Sequence, residues 1–166
     1  MMWTKHGLRA GVIGALLALL PISAAWSDVR CLDDAVETAF TAHALRSELM
    51  VGALSCGRGE DYNQMIVRHR GELAGHSRLL GRTLAGADAD ADEALDALFT
   101  RLANDASRRS VAEGQGACTR WDALFGALRS AEATALQAFA VETARDGRLW
   151  QAPDMAALTG LPRCAG

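Results

Sequence analysis

The chain has 166 residues, half of them hydrophobic, 22% charged and 5% aromatic, with a formal net charge of −3. Lys5 is its sole lysine, and the arginines alternate with acidic residues rather than forming a stripe. That balance excludes nonspecific nucleic-acid binding, which needs an excess of cationic contacts to phosphate. The length fits one domain, large enough to bury a core without depending wholly on disulfides.

At the start, Lys5 and Arg9 precede or abut an unbroken apolar run from Ala10 to Leu20. Pro21 breaks the run, and small residues lead to Asp28, the first acid of the chain. This order predicts a signal peptide over residues 1–27, cleaved after Ser27 or Ala25. A bilayer span needs about 20 apolar residues, so an uncleaved anchor is the weaker reading, and no stable membrane insertion is expected after cleavage. Removing residues 1–27 leaves 15 basic and 20 acidic residues, a net charge of −5. Export to the periplasm or beyond implies an oxidising compartment, in which Cys31, Cys56, Cys118 and Cys164 are expected to be paired.

Four stretches then carry a helical period. The first spans about Asp34 to Ser55, with Val36, Phe40, Met50, Val51 and Leu54 on one face, and stops at Gly57 and Gly59. The second opens near Asp61, which with Gln64 three residues later suggests a capping box. Its stripe is Tyr62, Ile66, Leu73, Leu80 and Leu84, and Gly86 ends it. The acidic stretch ADADADE leads into the third helix, Asp92 to Glu113, with Leu95, Leu98, Phe99, Leu102 and Ala106 inward. Its clustered carboxylates suit the positive end of the helix dipole. Gly114 and Gly116 precede the fourth helix, Thr119 to Arg145, striped by Trp121, Phe125, Leu128, Leu136 and Phe139.

These elements predict an all-α fold: an antiparallel four-helix bundle over residues 28–146, followed by an irregular tail over 147–166. In the tail, Trp150, Leu158 and Leu161 either cover the bundle end or present an apolar patch to a partner. The bundle also predicts the disulfides. Cys31 and Cys56 flank the first helix, roughly 37 Å apart at 1.5 Å per residue, while a bridge needs Cα atoms within about 7 Å. An antiparallel fourth helix puts Cys118 beside Cys56 and the tail beside Cys31. The expected pairs are Cys56–Cys118 and Cys31–Cys164.

Familiar catalytic patterns fail on their spacing. Asp88, Asp90 and Asp92 imitate the start of a calcium loop, but Glu93 stands where glycine is needed and Phe99 where the bidentate glutamate belongs. Gly75-His76-Ser77-Arg78-Leu79 lacks the second glycine of a nucleophile elbow. No HExxH, CxxC or phosphate loop is present. One constellation survives. His43 lies 13 residues before Cys56, His76 lies 15 after Asp61, and Glu132 lies 14 after Cys118, so the bundle brings them to one level. Glu72 borders the same face, one turn before His76. Two imidazoles with one or two carboxylates in a bundle core form a candidate divalent-metal site made of His43, His76, Glu72 and Glu132. The rival reading is a satisfied internal hydrogen-bond network.

The segments ELMVGALSCG (48–57), Tyr62-Asn63 and RLANDAS (101–107), followed by Cys118, resemble a family of small exported, cysteine-bearing helical proteins of alphaproteobacteria. The resemblance covers roughly residues 31 to 130. It implies a secreted helical domain and transfers no activity, catalytic residue or ligand. Read together, these features point to a small periplasmic helical protein that acts as a binding or structural module, with another envelope protein as its class of partner. A divalent-metal-binding bundle using His43, His76 and Glu132 is the second reading, and an enzyme of unassigned class the third.

Overall fold

In the computed structural model, residues 30–86, 89–131 and 135–165 are described, so the expected leader and Glu132 lie outside the described residues. The fold is all-α, a helical bundle stapled by two disulfides. Its elements are α1 (Asp34–Cys56), α2 (Gly59–Ala85), α3 (Ala91–Glu113), α4 (Gly116–Ser130), α5 (Leu136–Asp146) and the short α6 (Met155–Thr159).

Helix α1 is the central element, packed against α2, α3, α4 and α5. Asp33 caps it by accepting from the Val36 amide at 2.8 Å, and Asp34 and Glu37 put negative charge in its first turn. Thirteen of its residues are buried, on every side of the helix. It therefore has no single apolar stripe, and the expected face is corrected in part. Val36, Phe40 and Val51 are buried, whereas Leu54 is 80% exposed.

Helix α2 starts at Gly59, two residues before the expected cap. Asp61 instead receives Arg58 Nε at 2.6 Å and Arg129 Nη1 at 2.7 Å. Gln64 donates to Glu60 rather than closing a capping box. Asp90 caps α3 through the Asp92 amide at 2.8 Å, and Leu98, Leu102 and Ala106 point inward.

The expected fourth helix is two helices. The α4 ladder ends at Ala131, whose amide reaches the carbonyls of Ala127 and Leu128. Helix α5 begins afresh at Leu136, with its first amides held from outside the helix. Glu72 of α2 accepts from the Leu136 amide at 3.0 Å and from that of Gln137. A free helix start attracts a carboxylate because its amides are unpaired and its dipole is positive there.

Both disulfides join the expected cysteines, with Cα separations of 5.6 Å for Cys56–Cys118 and 4.9 Å for Cys31–Cys164. Beside the second, Leu32 and Arg163 form an isolated parallel bridge, with the Leu32 amide donating to Pro162 O at 2.8 Å and the Cys164 amide to Leu32 O at 3.1 Å. The tail is part of the core: Trp150 and Met155 are 3% and 4% exposed. Leu158 and Leu161, expected beside Trp150, are half-buried against the core. Among the described residues, no helix is long and apolar enough to cross a membrane. The two disulfides fit an oxidising, extracytoplasmic setting.

Candidate functional site

Among the described residues, two polar centres stand out inside the bundle, and the sequence points to only one of them. At that expected level, α1 contributes His43, which is 1% exposed. Its Nε2 lies 3.2 Å from the carbonyl oxygen of Leu73 on α2 and 3.2 Å from the Ser77 hydroxyl. A carbonyl oxygen only accepts, so Nε2 carries the proton. Phe99 of α3 stacks on the ring at 4.7 Å. Burial, followed by the nearby charge of Arg46, pushes the His43 pKa from 6.5 down to about 4, with the Leu73 hydrogen bond opposing and His76 adding slightly. His76 stands edge-on to His43, with centroids 6.4 Å apart, and its Nε2 meets Gln137 Oε1 of α5 at 2.8 Å.

The structure thus brings His43 and His76 to one layer. Glu72 is engaged differently, since both of its carboxylate oxygens cap α5 and His69 Nδ1 approaches one of them at 3.5 Å. Glu132 lies outside the described residues. Among the described residues, no group of three or more His, Cys, Asp or Glu side chains is arranged to hold a metal ion. Of the four expected residues, His43 and His76 share the layer, each with a buried Nδ1 that has no partner, and Glu72 turns its carboxylate to α5.

The unexpected centre is Glu48, one turn and a residue further along α1 and 0% exposed. Its carboxylate receives Arg109 Nη2 at 2.7 Å, Arg120 Nη2 at 2.8 Å and Trp121 Nε1 at 3.0 Å. Three donors, two of them cationic, offset the desolvation that an isolated carboxylate would suffer. Arg120 also bonds Glu113 at 2.8 Å and lies over the Trp121 ring, while Arg109 pairs with Asp105. Gly52, one turn after Glu48, makes the arrangement possible. A Cβ there would sit 2.5 Å from Trp121 Cγ, so only glycine lets the indole lie flat against α1 with its N–H on Glu48.

Beside this centre opens a cleft of about 250 Å³ lined by Arg109, Glu113, Arg120, Arg148, Trp150 and Gln151. Its guanidinium groups are already engaged: Arg109 and Arg120 by Glu48, Arg120 by Glu113, and Arg148 by Asp146. The sequence holds one signal for the Glu48 centre. An acid stands directly before the apolar run Leu49-Met50-Val51, one turn before a glycine. Comparison with models of known protein families, with curated proteins and with solved structures finds no match.

Proposed function

We propose that this protein is an exported, disulfide-locked helical module that acts in the cell envelope by binding another envelope component. The observation that carries this reading is the use to which two inward-facing carboxylates are put. Glu48 joins α1 to α3 and α4, and Glu72 fixes α5. Both serve the scaffold, in a fold whose chain is closed by two bridges. A rigid, oxidised scaffold suits recognition outside the cytoplasm. The segment over residues 1–27, with its basic start and apolar run, supports the export half of the proposal, as does the resemblance around Cys56 and Cys118.

The test expresses the full chain in a bacterium, fractionates the cells, and maps peptides without reduction. The expected product is periplasmic, begins at Asp28 or Trp26, and contains both bridges. A cytoplasmic, full-length product with free thiols would overturn the export reading. For the binding half, photo-reactive residues are placed at the exposed apolar positions Leu54, Val67 and Val111. Binding predicts a discrete, position-dependent adduct in the envelope fraction. A uniform absence of adducts at all three positions argues against it.

A further inference from the structure

The histidine layer holds two electron pairs that the fold leaves unused. His43 donates its Nε2 proton to Leu73 O, and His76 donates its own to Gln137 Oε1, so each ring presents a bare Nδ1. Both Nδ1 atoms are buried without a partner, in rings whose centroids are 6.4 Å apart. The neighbouring groups do not compete for this role. Phe99 is stacked on His43, Ser77 sits at the opposite ring nitrogen, and Glu72 is held by the amides of α5. All four cysteines are in disulfides, so no thiolate is available to draw a soft metal elsewhere.

We propose that Nδ1 of His43 and Nδ1 of His76 form a two-nitrogen site for copper(I). A structural zinc site takes four ligands in a tetrahedron, and among the described residues no third histidine, cysteine or carboxylate joins this pair. A soft monovalent ion with a filled d shell accepts two donors, and imidazole suits copper. Two metal–nitrogen bonds of about 2 Å need the nitrogens within about 4 Å of each other, and the two rings are edge-on neighbours with centroids 6.4 Å apart. A single positive charge also costs less to bury than a divalent one, in a layer whose carboxylate is committed. The site uses the two histidines of the set expected from the sequence and stands independently of whether the chain is exported.

The experiment uses the full-length oxidised chain, purified free of metal. It is titrated with copper(I) under argon against a chromogenic copper(I) chelator, and in air with silver(I) as a redox-inert stand-in. One equivalent per chain is expected to be retained, with the imidazole nitrogen resonances of His43 and His76 shifted and that of His69 unmoved. His76→Ala, at the edge of the core, should lower the affinity at least roughly 100-fold, while Met50→Leu and Met65→Leu leave it unchanged. A wild-type protein that retains no equivalent, resonance shifts confined to His69, or unchanged retention in folded His76→Ala would each overturn the proposal. The resonance shifts in the wild-type chain decide the matter even if His43→Ala does not fold.

Discussion

The two polar centres inside this bundle differ in how completely their hydrogen-bonding groups are used. At Glu48, a buried acceptor meets three donors drawn from α3 and α4. At His43 and His76, each ring makes its Nε2 contact and leaves Nδ1 without one. A saturated buried network fixes a unique arrangement of helices, whereas an incomplete one destabilises the fold until something completes it. The contrast separates scaffold from candidate site using only the local inventory of donors and acceptors.

The strongest test of the scaffold half is Trp121→Ala. It removes a fully buried indole and one of the three donors to Glu48, and should cost about 3–5 kcal/mol, read from the denaturant midpoint at constant slope. A loss below about 1 kcal/mol would show that Glu48 does not depend on this contact.

The next largest effect concerns the histidine layer in the metal-free protein. His43 has a folded pKa near 4 against 6.5 unfolded. Above pH 6.5 both states are neutral there and stability is full. As pH falls, the unfolded chain takes up the proton first, so stability declines from about pH 6.5 to about 4 and then levels. The whole decline is about 3 kcal/mol. Urea titrations across that window should show it, and His43→Gln should flatten the part above pH 5, where carboxylates contribute least.

Gly52→Ala sharpens the comparison from the other side. The new methyl group meets the Trp121 ring, and overpacking of this kind costs roughly 1–3 kcal/mol. Near-ultraviolet circular dichroism should report a displaced indole, and unchanged spectra and stability would contradict the close approach of the two helices. The smallest effect is expected for Glu72→Ala. Loss of this external cap should cost about 1 kcal/mol and speed hydrogen exchange at the Leu136 and Gln137 amides, leaving the Glu48 region protected. Equal exchange in both helices would mean that α5 is not held through Glu72.

Much of the frame was legible along the chain. Helix periods, bounding glycines and the geometry of antiparallel neighbours lead to both disulfide pairs and to the shared level of His43 and His76. What escapes has a physical reason in each case. A helix buried on all sides has no periodic stripe, so pattern alone turns Leu54 inward and does not single out Glu48. The partners of Glu48 lie 61, 72 and 73 residues away, beyond any local pattern. The break between α4 and α5 falls in the sequence AEATA (131–135), which has neither glycine nor proline. The carboxylate that caps the start of α5 belongs to Glu72, on another helix and 64 residues away from Leu136.

The nesting of the two bridges bears on the order in which the molecule matures. Cys56–Cys118 lies wholly inside the loop closed by Cys31–Cys164. Made N-terminus first, the chain can secure the ends of α1 and α4 before the tail follows. The outer clasp must wait for residue 164, so Trp150 and Met155 are locked over the bundle last. A chain halted before the outer clasp closes would therefore be a half-fastened species, recognisable by thiol labelling at Cys31 and Cys164 with Cys56 and Cys118 protected.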